Sequence, residues 1–139
     1  MDLQPIVMHV RDGELVEEGS WVYVWLRPAN ERRVIYVGGT GLAPATRVWL
    51  HLHHDDPEIG RIKSAYPAAA GDLAEALDVH AFRMPDGVPR RAVGDAVIRR
   101  LAAAGALSPH YCGFPAGEAD ETSQVATVAG MVITRLPLR

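Results

Sequence analysis

One cysteine, one lysine and two phenylalanines are all that this 139-residue chain holds of three common residue types. The lone Cys112 excludes an intramolecular disulfide and cannot build a multi-cysteine zinc cage, so neither staple supports the fold. Nowhere do apolar residues run uninterrupted for the roughly 20 positions that span a bilayer. The N-terminal "MDLQPIVMHVRDGE" lacks the basic head and apolar centre of a secretion signal. A cytoplasmic protein with no membrane partner is the expectation. Internal repeats and low-complexity tracts are also missing, and with 48% hydrophobic residues the chain reads as one compact domain over residues 1–139.

A net charge of −3 argues against coating nucleic acid through bulk charge, but it leaves room for a local basic surface. Lys63 is the one lysine, so nearly all positive charge is arginine. The arginine fork suits bidentate phosphate contacts as well as ordinary ion pairs.

Hydrophobic patterning predicts an α+β fold. "SWVYVWLR" (20–27) and "RRVIYVGG" (32–39) are β-branched and aromatic runs, and "PANE" between them has the length of a hairpin loop. "PIVMHV" (5–10) suggests a short leading strand turned by "DGE", and "DVHAFRMP" (78–85) a third sheet strand. Pro44 can open a helix over 44–54, although "VWLHLH" also fits a strand. "DPEIGRIKSAYPAAAGD" reads as loop with a short helix, and "LAEAL" as one helical turn. "PRRAVGDAVIRRLAAAG" is the clearest helix: Pro89 opens it, Val93, Val97, Ile98 and Leu101 stripe one face, and Gly105 closes it. "VATVAGMVITRLP" (125–137) is expected as a last strand. The sum is a small mixed or antiparallel three-stranded sheet flanked by helices, with extra N- and C-terminal strands.

Two features of residues 31–56 invite a chemical reading. "GGTGLAPA" fails the Walker pattern, which needs a lysine and a hydroxyl after its second glycine, and the dinucleotide fingerprint, whose third glycine falls on Pro44. Taken alone, these glycines let a strand turn into a helix. "HLHHDD" offers zinc ligands on paper, but His51 and His53 point about 200° apart on a helix. His51 and Asp55, one turn apart, could share an ion; a solvated helix end is the other reading of His53, His54, Asp55 and Asp56.

Taken together, the order of "WVYVW", "IYVGGTG" and then an arginine and a histidine one helical turn apart resembles the GIY-YIG nuclease superfamily. The first motif is Trp21-Val22-Tyr23 here and the second is Tyr36-Val37-Gly38, with Arg47 and His51 on the first helix. The resemblance covers residues 20 to 54. It implies that Tyr23 contacts the attacking water, that Tyr36 is the second active-site tyrosine, that Arg47 binds the phosphate and that His51 serves as general base. It also implies one magnesium or manganese ion held by a carboxylate on a later helix. The residue types suit that chemistry on their own terms: phosphodiester hydrolysis needs an activated water and positive groups for the charge that develops on phosphorus oxygens.

The chain departs from the family pattern in three places. The metal-holding glutamate becomes Asp95, one methylene shorter, with Glu75 as another candidate. The asparagine of a "PxYN"-like element becomes Cys112 in "PHYC", where a thiol is a poor hydrogen-bond donor. A lysine that some members carry after the second motif is Gly39. Gly38 and Cys112 are thus expected to support the site rather than act. The resulting expectation is a metal-dependent endonuclease acting on DNA. Two alternatives stand beside it: a catalytically impaired domain of that fold which binds nucleic acid or a protein partner, and a zinc hydrolase built on residues 51–56. Target choice would fall to loops such as 55–72 and 113–124.

Overall fold

The structure, a computed structural model, describes residues 3–5, 7–28, 33–66, 69, 75–118 and 121–138. Its centre is a three-stranded antiparallel sheet of β3 (Trp21–Leu26), β4 (Val34–Thr40) and β5 (Asp78–Arg83), in the order β4-β3-β5. Preceding it is a minimal hairpin, β1 (Val10–Arg11) and β2 (Glu14–Leu15). Helices α1 (Pro44–His53) and α2 (Arg61–Ala65) follow β4, and α3 (Arg90–Ala103) and α4 (Ser123–Arg135) follow β5.

β3 lies in the middle because its residues 22–26 are buried on both faces, as their unbroken apolar and aromatic run demands. Val22, Val24 and Leu26 meet Val34 and Val37 of β4 on one face and pack there against Val93, Val97 and Leu101 of α3. Tyr23 and Trp25, with Ile35 and Tyr36, form a second cluster on the opposite face with Ile62 and Tyr66. Register assigns the faces: Tyr23 pairs with Gly38 and Trp25 with Tyr36, so both tyrosines point the same way. The register slips between Trp25 and Leu26, and this irregularity lets neighbouring Ile35 and Tyr36 both join the aromatic side.

Three expectations are corrected. Residues 123–135 are a helix, not a strand. Its buried residues Val125, Val128, Ala129 and Val132 recur at helical spacing, and Thr122 caps it by accepting a hydrogen bond from Val125 N at 3.2 Å. Packing of that stripe on α3 outweighs the β-preference of its valines and threonines. The leading strand shrinks to Val10–Arg11, because Asp12 and Gly13, both at positive φ, make a tight two-residue turn. In "LAEAL", residues 75–77 are non-helical, and its first two residues lie outside those described. "PANE" likewise falls mostly outside them, while the antiparallel pairing it was expected to join is present.

The edge of β4 away from β3 is covered by residues 106–112. Val34 N donates to Ala106 O, Ser108 N to Val34 O and Cys112 N to Ile35 O. None of the described helices is long and apolar enough to cross a membrane. Replacing the cap, Thr122→Ala, should destabilise the fold by about 1 kcal/mol, read as a lower denaturant midpoint with an unchanged slope.

Candidate active site

β3 and β4 deliver Tyr23 and Tyr36 to one face with rings nearly parallel, 7° apart in plane and 6.1 Å between centroids. Gly38 makes that stack possible: a Cβ there would lie 2.7 Å from both Tyr23 Oη and Tyr36 Cε1. What Gly38 gives the tyrosine pair is thus space.

Helix α1 meets this face through His51, its one buried residue and 0% exposed. His51 Nε2 lies 2.7 Å from Tyr23 Oη. The imidazole stands edge-on to Tyr36, Tyr23 and Trp25, at 4.9, 5.5 and 5.8 Å between centroids. His51 Nδ1 and Trp25 Nε1 are buried without a hydrogen-bond partner among the described residues. Burial first, then the charges of Arg47 and Arg61, push the His51 pKa down to about 3. Burial also pushes the Tyr23 hydroxyl well above its ordinary value; Tyr36 adds to the rise and Arg47 works against it. Tyr36 is raised by burial too, with Arg61 and Arg47 opposing. The pair is thus neutral at physiological pH, with an imidazole able to accept and a phenol able to donate.

Above the pair opens a cleft of about 820 Å³, lined by Tyr23, Tyr36, Gly38 and Arg47 among others. Arg47 comes from α1, where its Nη1 donates to Ile59 O at 2.9 Å, which anchors the side chain at the rim. Three arginines not anticipated from the sequence, Arg61, Arg90 and Arg91, also line it, against two carboxylates, Glu58 and Asp95. A chain of net negative charge therefore carries a positively walled cavity here. The signal was present in α3: Arg91 and Asp95 are one helical turn apart, and Arg90 and Gly94 share that face. Arg90 also lays its stem over Gly39, where a Cβ would meet Arg90 Cδ at 3.2 Å.

Asp95 lines the same cleft as the tyrosines and Arg47. Its carboxylate nestles against Gly117, where a Cβ would lie 2.5 Å from Oδ2, and it makes no hydrogen bond or ion pair among the described residues. Glu75 is elsewhere: it pairs with Arg27 and accepts a 2.6 Å bond from Tyr66 Oη. Cys112 packs against the aromatic cluster without lining the cleft, and its thiol donates to Ile35 O at 3.4 Å. It secures β4 rather than the cavity.

The polar run after His51 is dispersed. His53 stacks on exposed Trp49 at 4.8 Å, His54 Nδ1 accepts from Asp56 N at 3.1 Å, Asp55 pairs with Lys63, and Asp56 Oδ1 accepts from Glu58 N at 2.9 Å. His51, turned into the sheet, cannot share an ion with Asp55 in solvent. No group of three histidine, cysteine or carboxylate side chains is placed to hold a metal among the described residues.

Comparison of the chain with family models, characterised proteins and solved structures finds no match. What the site can do rests on its own geometry.

The buried imidazole has a consequence for stability. In the unfolded chain His51 takes a proton below about pH 6.5, whereas in the fold it stays neutral down to about 3. Between those values the unfolded state binds more protons, so stability drains as pH falls, approaching about 1.4 kcal/mol per pH unit. Thermal unfolding between pH 6.5 and 5, above the range where paired carboxylates titrate, should show this slope, and His51→Gln should flatten it.

Proposed function

We propose that this protein is a small GIY-YIG-like endonuclease that hydrolyses a phosphodiester bond of DNA with one magnesium or manganese ion. The observation that carries the reading is the 2.7 Å contact between Tyr23 Oη and His51 Nε2 on the floor of a cleft that Arg47 and Asp95 also line.

In this reading Arg47 presents its guanidinium to the non-bridging oxygens of the scissile phosphate. Tyr23 Oη takes a proton from the attacking water while passing its own to His51 Nε2, and Tyr36 holds the far side of that hydroxyl. Empty, the site resists such a transfer, because burial and two arginines disfavour a charged imidazole. A phosphate seated on Arg47 and Arg61 neutralises the electrostatic part of that resistance, so His51 becomes a better base as substrate arrives. The lysine that some family members carry after the second motif has a counterpart in Arg90, whose stem covers Gly39.

Asp95 fits a hard divalent cation. A single carboxylate facing a cleft leaves most of the shell to water and phosphate oxygens, as magnesium prefers, and is too few ligands for a zinc cage. Bound there, the ion would supply positive charge to the phosphate and the leaving oxygen.

One observation favours a binding domain without catalysis: Cys112 spends its thiol on a backbone carbonyl and brings no side chain to the cleft. A nicking assay separates the two readings. Purified protein with magnesium or manganese should nick DNA, and Arg47→Ala should cut the rate by about 10²–10³-fold while losing one hydrogen bond, about 1 kcal/mol, of stability. Tyr23→Phe should fall similarly, and Asp95→Asn should abolish the response to metal. Metal-dependent nicking at an undiminished rate in Arg47→Ala sinks the proposal.

A further inference from the structure

Phe114 is out of place for a residue serving only the core. It is 53% exposed, and it lines the arginine-walled cleft. Arg61 lies over one face of its ring, 3.8 Å from guanidinium carbon to centroid. The loop that carries it is tied down on both sides: Tyr111 Oη donates to Phe114 O at 2.7 Å, and Arg99 Nη1 donates to Gly117 O at 2.9 Å. Pro115 stiffens the segment between. The ring thus stands half in solvent at the mouth of a basic cavity, with a guanidinium on one face and its backbone tied by hydrogen bonds.

The floor of the cavity supplies a second, independent observation. Tyr23 and Tyr36 are each 2% exposed and His51 0%. A phosphate reaches the two tyrosines through the cleft they line, with His51 behind Tyr23. A duplex is stiff over about 150 base pairs and keeps its bases stacked inside, whereas a single strand bends freely and leaves its bases available.

From these two observations we propose that Phe114, braced by Arg61, is a stacking platform for an unpaired base, and that the strand entering the cleft is single: an overhang, flap or bubble with one base on the Phe114 ring beside the phosphate. The inference rests on the phosphodiester reading above and names its substrate class. Stacking on an aromatic ring accepts any base, so the platform selects strand state and not sequence. Arg61 then has two roles, charge for the backbone and a cation on the ring that holds Phe114 in place.

Binding is measured first without metal, so that nothing is cut, with a single-stranded DNA oligonucleotide carrying 2-aminopurine, the matching duplex, and an RNA strand of the same sequence. The native protein should bind the single strand at least about tenfold more tightly than the duplex and quench its 2-aminopurine. Phe114→Ala should lose about 5–150-fold in affinity, the span of one aromatic stack, together with the quenching, while Phe114→Trp keeps both. A strand with an abasic site in place of the stacked base should bind native protein and Phe114→Ala alike. Equal affinity for duplex and single strand, or unchanged quenching in Phe114→Ala, overturns the platform. Adding magnesium or manganese then separates the two claims. Strand preference and quenching without cutting support the platform and refute the nuclease. Duplex cut equally well by native protein and Phe114→Ala supports the nuclease and refutes the platform. Tighter binding of the RNA strand than of the DNA strand overturns DNA as the single strand the cleft takes.

Discussion

A helix that inserts an imidazole, rather than a leucine, into a sheet must give that imidazole a partner, and this requirement organises the molecule. Leaving a buried ring nitrogen unsatisfied costs about 1–3 kcal/mol. His51 meets the requirement at Nε2 through Tyr23, while Nδ1 stays without a partner among the described residues; Tyr23 in turn has to project from the face of β3 that α1 covers. That fixes the register with β4, which sets Gly38 opposite Tyr23 and leaves space for Tyr36 to stack. Shifting either strand by one residue would turn its own tyrosine to the other face and break this grouping.

The two faces of the sheet consequently have different work. The valine-rich face, with α3 and α4, is an apolar core of the usual kind, and its side chains carry no chemistry. The aromatic face is built from groups that combine apolar bodies with polar tips, so it can be buried and still present tyrosine hydroxyls to a cavity, with an imidazole behind one of them. α3 links the two: Val93, Val97 and Leu101 hold it to the core while Arg90, Arg91 and Asp95 look into the cleft. The distance between the walls of the site is therefore set by packing in the core.

How much of this was legible in the sequence varied with the kind of signal. The three sheet strands and helices α1 and α3 followed from local pattern, because strand alternation and helical spacing are short-range rules; the grouping of Tyr23, Tyr36, Arg47 and His51 was expected only from the family resemblance. Residues 125–137 carry β-branched side chains that favour a strand, yet Val125, Val128, Ala129 and Val132 have the period of a helix, and the spacing decides. Arg61 and Phe114 lie far apart in sequence and meet through tertiary folding, so no local rule finds their stack, although both fall in loops expected to govern target choice. The role of Cys112 was also beyond reach, since it depends on residues 106–112 lying along β4.

That lining of β4 matters for the company the protein keeps. A three-stranded sheet has two open edges, each a template on which a second chain could add a strand. Here one is occupied by the chain itself, through the bonds from Val34, Ser108 and Cys112. The other, β5, is only six residues long, with Asp78 at one end and Arg83 at the other, both exposed. An edge with charge at its ends is a poor template for strand addition, so the chain that lines β4 with residues 106–112 also guards itself against growing into a larger sheet.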